Sequence, residues 1–295
     1  MSAMKDEIRL ITESTVRAML PARPADGHKG TFGRLLSVCG AVGMAGAACF
    51  AAEAAYRCGT GLLTAAIPRE IYPVVTARVP EAVCVLLDSE ETGGVSREAW
   101  DVLRPHLELA DAVLFGCGIG KGDGAAALLS DVLQFARCPV VLDADGLNLL
   151  SAHTDSVETT APLCLTPHPA EAARLLHTTT EAVQANRVSA VRALAERYGG
   201  VAVLKGHETL IAEKGKPTLC NRTGNDALAT GGSGDVLAGI IGGFAAQGMP
   251  LYEAAACGVY LHGLAGERAA AELSRRGTLA RDLLPALARL LSEYE

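Results

Sequence analysis

The segment Asn225-Asp-Ala-Leu-Ala-Thr-Gly-Gly-Ser-Gly-Asp-Val-Leu-Ala-Gly239 is the part of this chain from which its chemistry is most readily inferred. Four small residues come directly before Asp235 and an apolar run: Gly231, Gly232, Ser233 and Gly234. This pattern predicts a helix whose first backbone amides lie open, and such a helix N-terminus binds anions. Asp235 is then expected in the first turn, where its carboxylate can act on an oxygen beside a phosphate. The alternative is a glycine-rich turn whose acid stabilises the helix dipole.

Composition excludes several classes of function. The 295 residues carry a net charge of −7, and no block of Lys or Arg stands out, so nucleic acid is not an expected partner. Nine cysteines are scattered without a CxxC pair, which indicates a reducing cytosol and argues against structural zinc. The N-terminus lacks the apolar core of a signal peptide, and no run approaches the ~18 apolar residues of a membrane helix. We therefore expect a cytoplasmic protein with no membrane partner. Its Ala-rich helices permit a homo-oligomer.

Apolar runs that alternate with helical stretches predict an α/β fold: a mostly parallel sheet covered on both faces by helices. No linker divides the sequence, so a single domain over residues 1–295 is expected. Strands are predicted at residues 35–38, 62–67, 82–87, 112–115, 140–142 and 163–165, with a strand–turn–strand unit at 202–212. Helices are predicted at residues 6–20, 69–77, 97–109, 125–136, 181–198, 236–246, 251–271 and 279–291.

Ligands of such sheets gather beyond the carboxyl ends of the strands, so the loops there carry the chemical signal. Three loops are rich in glycines, acids or a proline-flanked histidine: Gly116-Cys-Gly-Ile-Gly-Lys-Gly122, Asp143-Ala-Asp-Gly-Leu-Asn148 and Thr166-Pro-His-Pro-Ala-Glu171. A fourth segment, Lys205-Gly-His-Glu-Thr209, offers a cation, backbone donors and a hydroxyl, which suit phosphate or ribose; an ordinary solvated turn is the alternative. The glycines at 40, 43 and 46 approach a dinucleotide-binding spacing, but the acid expected after the next strand is missing.

Taken together, the motifs resemble those of the NAD(P)H-hydrate dehydratases, repair enzymes with the ribokinase-like three-layer fold. The matching blocks follow the family's order from residue 28 to residue 239: His28-Lys-Gly-Thr-Phe-Gly-Arg34, Gly46-Ala-Ala, Gly59-Thr-Gly-Leu, Gly116-Cys-Gly-Ile-Gly120, Leu142-Asp-Ala-Asp-Gly-Leu-Asn148, Thr166-Pro-His-Pro-Ala-Glu171, Lys205-Gly and Ala229-Thr-Gly-Gly-Ser-Gly-Asp-Val-Leu-Ala-Gly239. The resemblance departs from the family at Cys117, where proline is usual, and at Leu228, where Gly-Met is frequent. Both changes bear on the shape of a loop.

The resemblance implies a carbon–oxygen lyase that uses ADP or ATP, with Mg²⁺, to dehydrate the S form of hydrated NADH or NADPH. It implies Asp235 as the base, assisted by Gly232, Ser233 and Gly234. The implied contacts of the hydrated cofactor are Ala47, Gly118, Gly120, His168 and Asp235, and those of the adenine nucleotide are Lys205, Gly206, His207, Glu208, Thr209 and Gly234. Glu171 and Asp145 are the implied metal ligands, and Asn148 is an alternative to Asp145 through water. The epimerase domain that is often fused ahead of this family is expected on a separate chain.

Two alternative functions stay open at this point. A small-molecule kinase of the same fold, acting on a thiazole, pyrimidine or pyridoxal alcohol, would share the glycine-rich segment and Asp235. The motifs around His168 and Asp143 favour the dehydratase. A catalytically silent nucleotide-binding protein is expected to have lost the acid or the glycines, and this chain has both. Nothing in the sequence distinguishes ADP from ATP, although the stand-alone form favours ADP.

Overall fold

The computed structural model describes residues 7–91, 93–152 and 159–295. Within them lie ten strands: β1 Ile8–Leu10, β2 Arg34–Val38, β3 Leu62–Pro68, β4 Val83–Leu87, β5 Ala112–Phe115, β6 Val140–Leu142, β7 Leu163–Leu165, β8 Val201–Leu204, β9 Thr209–Ala212 and β10 Thr218–Asn221. The same residues form twelve α-helices: α1 Glu13–Met19, α2 Ala45–Arg57, α3 Tyr72–Arg78, α4 Ala99–Leu107, α5 Asp123–Phe135, α6 Asp145–Ala152, α7 Pro169–Leu175, α8 Thr180–Ala185, α9 Arg187–Tyr198, α10 Ser233–Ala246, α11 Leu251–Leu273 and α12 Ala280–Leu291. None of these helices combines the length and apolar character needed to cross a membrane.

The strands form one sheet in the order β1-β10-β9-β8-β7-β6-β5-β2-β3-β4. In the described sheet β9 runs antiparallel to its two neighbours, and the other pairs are parallel. The chain moves from β2 outward to β4 and then returns to β5 on the other side of β2. The strand order therefore reverses between β2 and β5, and ligands bind at such a switch point.

Helices cover both faces of the sheet, as predicted. Successive side chains along a strand point to opposite faces, so a strand that is apolar throughout is buried by helices on each side. Leu35 and Leu114 pack into the apolar core that includes α2, α10, α11 and α12. Leu36 and Phe115, each one residue further along, pack into the core that includes α4, α5 and α9. The mostly parallel α/β architecture is thus confirmed.

Two predicted helices were wrong in part. The helix expected at residues 6–20 begins only at Glu13, where the Thr12 hydroxyl accepts the backbone N–H of Thr15 at 3.3 Å. Before it, Ile8–Leu10 is a strand beside β10; residue 6 lies outside the described residues. Pairing with a strand about 200 residues away overrides the local helical spacing. The helix expected at 181–198 is two helices, because Asn186 has a non-helical backbone and caps α9. Strand β10 was not predicted.

Helix α10 carries the glycine-rich segment and lies between α2 and α11. Almost all its residues are buried. Close approach to α2 depends on Gly239, since a Cβ there would overlap the carbonyl oxygen of Ala51. The packing places the N-terminus of α10 beyond the carboxyl ends of the central strands.

Candidate active site

The candidate site lies in the crevice at the switch point. A hydrogen bond from the Gly40 N–H to the Cys117 carbonyl, at 2.9 Å, joins the loops that follow β2 and β5. Side chains that follow β6, β7 and β8 approach the same place, as does the first turn of α10. Loops separated by up to about 200 residues in sequence therefore meet at one edge of the sheet.

The first turn of α10 has the backbone expected of an anion site. Gly232 precedes the helix in the left-handed region, with φ of 90°, and a Cβ there would lie 2.7 Å from the Phe50 ring. Ser233 and Gly234 are the first two helical residues, and Asp235 is the third. A Cβ on Gly234 would meet the Lys205 ammonium at 3.6 Å. The amides that begin α10 therefore lie beside a cation, and Asp235 lies in the first turn, where the sequence predicted it.

Asp143 and Lys205 form a buried ion pair at the centre of the crevice. The Lys205 Nζ lies 2.6 Å from Oδ1 of Asp143, and the Thr166 hydroxyl donates to the same oxygen at 2.6 Å. Glu171 Oε2 lies 3.9 Å from Nζ. Burial alone would lower the pKa of Lys205, but Asp143 and Glu171 together raise it, so the ammonium stays charged. A fixed positive charge of this kind suits a phosphate.

Asp235 is the acid whose pKa is shifted in the way expected of a general base. Burial first, and then the nearby Asp143 carboxylate, raise its pKa to about 6, while the Cys117 thiol and Lys205 act in the opposite direction. At neutral pH most molecules therefore carry an ionised Asp235 that can still accept a proton. A pKa close to the working pH is what general-base catalysis favours.

His168 and Glu171 form a capping box at the start of α7. Nδ1 of His168 accepts the backbone N–H groups of Ala170 and Glu171, and Oε2 of Glu171 accepts the His168 N–H at 2.8 Å. Burial and the Lys205 charge lower the pKa of His168, so its ring is neutral at pH 7 and Nε2 carries the proton. The half-exposed ring lies at the rim of the crevice, with Nε2 3.4 Å from Oε1 of Glu171.

The three residues predicted to contact the hydrated cofactor besides His168 and Asp235 lie on the first turn of α2 and on the loop after β5. Ala47 is near the start of α2, and a Cβ on Gly118 would lie 3.0 Å from its methyl group. Gly120 donates its N–H to Oδ2 of Asp145 at 3.0 Å. These loops border the crevice on the side of β2 and β5.

The hairpin between β8 and β9 carries the residues predicted for the nucleotide. Only its first residue, Lys205, contacts the ion-pair centre. The Thr209 hydroxyl closes the turn on the Gly206 carbonyl at 2.9 Å, and Arg187 donates to the Leu204 and Lys205 carbonyls. Three hairpin residues line a cavity of about 540 Å³ that lies apart from Asp235: Gly206, His207 and Glu208.

The acids predicted for the metal have oxygens suited to a hard cation. Oε1 of Glu171 has its nearest polar partner among the described residues in Nε2 of His168, at 3.4 Å. Oδ1 of Asp145 lies 3.5 Å from the Asn148 amide and 3.9 Å from Lys121. Each acid thus keeps one oxygen that is only weakly engaged. Both residues fit Mg²⁺, which usually takes one or two carboxylates together with substrate phosphates.

The site also contains residues that the sequence did not single out. The sequence predicts Asp143 only as an acid at a strand end. Its partner Lys205 lies 62 positions away, so no local sequence pattern predicts the pair. His262, buried in the middle of α11, lies 3.0 Å from the carbonyl and 3.2 Å from the hydroxyl of Ser233. Burial lowers its pKa to about 4, so a neutral ring holds the glycine-rich turn.

Comparisons with known proteins agree with one another. A family model described as NAD(P)H-hydrate dehydratase matches residues 35–289. The bifunctional NAD(P)H-hydrate repair enzyme of Moorella thermoacetica is 41% identical over 97% of this chain and 54% of its own length. The ADP-dependent (S)-NAD(P)H-hydrate dehydratase of Neisseria meningitidis is 43% identical over 90% of this chain and 87% of its own.

A solved structure extends the likeness to three dimensions. The ADP/ATP-dependent NAD(P)H-hydrate dehydratase of Bacillus subtilis, co-crystallised with ATP/Mg²⁺, has a TM-score of 0.85 at 32% identity and covers 97% of this chain and 99% of its own. The ribokinase-like fold is therefore confirmed. This chain spans about half the length of the bifunctional curated relatives that it matches.

Proposed function

The chain belongs to the family of NAD(P)H-hydrate dehydratases, and on that premise we propose that it restores NADH or NADPH from the S form of the hydrate at the expense of ADP or ATP. Relatives with these activities in their names support the proposal. The single observation that carries it in this molecule is the position of Asp235, at the N-terminus of α10 and beside the Asp143–Lys205 pair. A base and a cationic phosphate site are thus adjacent.

The reaction divides into phosphorylation and elimination. Hydroxide is a poor leaving group, so the hydroxyl oxygen of the hydrate first attacks the terminal phosphorus of the nucleotide. Asp235 takes the hydroxyl proton, the new O–P bond forms, and the bond from that phosphorus to the rest of the nucleotide breaks. The C–O bond then breaks with loss of phosphate and of a proton from the neighbouring carbon, which restores the ring double bond.

Each charged group in the crevice has a place in this scheme. Backbone amides at Gly232, Ser233 and Gly234 and the Lys205 ammonium stabilise negative charge on the transferred group. Glu171 and Asp145 would hold Mg²⁺, whose positive charge would offset the charge on the nucleotide phosphates. The neutral ring of His168 and the loops at Ala47, Gly118 and Gly120 border the space for the hydrated cofactor. The hairpin from Lys205 to Thr209 holds the nucleotide.

We further propose that residues 1–295 form a single dehydratase domain, and that the protein is cytoplasmic and homo-oligomeric. The bifunctional relatives support a functional link to epimerisation.

Recovery of the dihydronicotinamide absorbance tests the proposed activity. Hydrated NADH is incubated with the protein, Mg²⁺ and either ADP or ATP, and we expect the band to return with at least one nucleotide. Asp235→Asn should lower turnover about 10²–10⁴-fold, the usual contribution of a general base. The matched control is Asp226→Asn, a change at an exposed acid of the preceding turn that should leave turnover near the parent value.

Absence of recovery with both nucleotides, from protein shown to be folded, would refute the dehydratase. A phosphorylated product that accumulates without return of the band would instead favour a kinase.

A further inference from the structure

Cys117 lies between the two carboxylates at the centre of the crevice, and the scheme above gives it no role. The residue is completely buried just beyond the end of β5. Its sulfur, one oxygen of Asp143 and one oxygen of Asp235 all lie within 4.8 Å of one another. A second thiol, that of Cys39 directly after β2, lies beside Cys117 and donates to the Leu114 carbonyl at 3.9 Å.

The thiol of Cys117 is a donor in this setting. The adjacent Cys39 thiol, burial and the two facing carboxylates raise its pKa well above the ordinary value, so it keeps its proton. It donates to Oδ2 of Asp143 at 3.8 Å. Rotation about the Cβ–Sγ bond can turn the same proton toward Asp235, and a hydrogen bond from Cys117 is among the effects that lower the pKa of Asp235.

The other groups that face Asp235 are all charged or already paired. Asp143 and Asp145 repel its ionised form, and Lys205 attracts it. The Lys205 ammonium, however, lies 2.6 Å from Asp143, which also holds the Thr166 hydroxyl. Asp143 therefore has two strong donors without the thiol, whereas Asp235 has the Cys117 sulfur within 4.8 Å of its carboxylate.

We propose that Cys117 is a positioning residue, whose thiol holds the Asp235 carboxylate in one orientation between β5 and α10 and hydrogen-bonds to its ionised form. The role of Asp235 as the base rests on the proposed function, but the contact between thiol and carboxylate does not. A hydrogen bond to the charged form of an acid favours that form. Cys117 thus keeps Asp235 ready to accept a proton at a pH where burial and two like charges would otherwise neutralise it.

Replacement of the thiol tests this role directly. Cys117→Ala removes the donor, and Cys117→Ser restores one of similar size. The matched control is Cys257→Ala, which removes the same atoms from a buried position on α11. The titration of Asp235 is followed by carboxyl ¹³C NMR in protein labelled at aspartate, with the resonance assigned from Asp235→Asn.

We expect the Asp235 midpoint near 6 in the parent and in Cys257→Ala. It should rise by about 0.5–1 pH unit in Cys117→Ala, the size of one weak hydrogen bond to a charged group, and return toward the parent in Cys117→Ser. This measurement uses no substrate, so it decides on Cys117 even if the proposed dehydration fails.

The pH profile of turnover supplies the catalytic readout. The base must be ionised, so activity falls as the pH drops through the Asp235 pKa, and this acid limb should move upward by the same amount in Cys117→Ala and not in Cys117→Ser. The nucleotide KM should change less than kcat, because Lys205 keeps its ion pair with Asp143 in this variant.

Two results would overturn the proposal. One is an Asp235 midpoint and an acid limb that stay in place in Cys117→Ala. The other applies if Cys117→Ala does not fold: the S–H stretching band in the infrared spectrum of the parent protein is then compared with that of Asp235→Asn. A shift of the band supports the contact, and an unchanged band contradicts it.

Discussion

At the scale of single residues, the proposed chemistry depends on Asp235 being held in an environment that opposes its charge. Burial and the Asp143 carboxylate both disfavour ionisation, and they raise the pKa to about 6. The same shift that makes the carboxylate a useful base at neutral pH therefore makes the folded protein less stable there. Function and stability are in conflict at this position.

We predict that Asp235→Asn stabilises the fold at neutral pH while it removes turnover. With the pKa raised from 3.8 to about 6, the folded state binds the proton more tightly than the unfolded state, so the parent loses stability as the pH rises through about 6. At about pH 7.5 the variant should be more stable by up to ~3 kcal/mol, the equivalent of the shift. The gain should disappear toward about pH 4, where the parent carboxyl is protonated.

Urea unfolding of both proteins at the two pH values measures this difference. His262, whose folded-state pKa of about 4 lies below its ordinary value, makes both proteins less stable in acid, and its effect cancels in the comparison. An equal stability of parent and variant at neutral pH would show that Asp235 is not desolvated as described.

At the scale of elements, the position of the α10 N-terminus depends on how closely α10 approaches α2. Gly239 faces the backbone of Ala51, and a Cβ there would overlap its carbonyl oxygen. Since backbone cannot move aside as a flexible side chain can, a larger residue must push the two helices apart. The first turn of α10 would then shift relative to Lys205 and Asp143.

We predict opposite effects from the same substitution at two helical glycines. Gly239→Ala should lower the free energy of unfolding by about 1–3 kcal/mol, the usual effect of overpacking a core. Gly46→Ala, in the first turn of α2, has no atom of the described residues within 4 Å of the added Cβ and should raise it by about 0.4–1 kcal/mol, since the unfolded chain loses freedom. Urea unfolding measures both changes in the free energy of unfolding, and the dependence of that free energy on urea concentration should be the same as in the parent. A neutral Gly239→Ala would mean that the contact with α2 does not limit the helix position.

At the scale of the whole molecule, the candidate site is formed by elements from most of the chain. The ends of β2, β5, β6, β7 and β8 and the start of α10 all contribute to it. Any ligand that binds the folded form and not the unfolded form raises the melting temperature.

We predict that ADP or ATP with Mg²⁺ raises the melting temperature through Lys205. At about 100 times the Kd the stabilisation is ~2.7 kcal/mol, which corresponds to roughly 5 °C for a chain of this size. Lys205→Met should lose most of that increment, whereas Lys214→Met, at an exposed ion pair with Glu196, should keep it. Thermal unfolding with and without nucleotide gives the increments. An equal rise in melting temperature in the two variants would show that Lys205 does not bind the nucleotide.

Much of the molecule follows from the sequence, because the relevant signals are local. Continuous apolar runs at residues 112–115, 140–142 and 163–165 predicted buried parallel strands with those bounds. The run of small residues before Asp235 predicted an open helix N-terminus, and the acids and prolines after the strands predicted where ligands bind. The steric freedom of glycine and the apolar character of a run are properties of neighbouring residues, so they can be read from the chain.

Only the tertiary structure decided which of these local features meet. Pairing of β1 with β10, of Asp143 with Lys205 and of His262 with Ser233 joins residues that are distant in sequence. The glycine-rich turn was predicted as an anion site, but its cation, its buried acid and the Cys117 thiol became neighbours through the strand order. The strand order and the distance between helices depend on the free energy of burying the whole core, to which every element contributes. A local sequence pattern therefore cannot predict them.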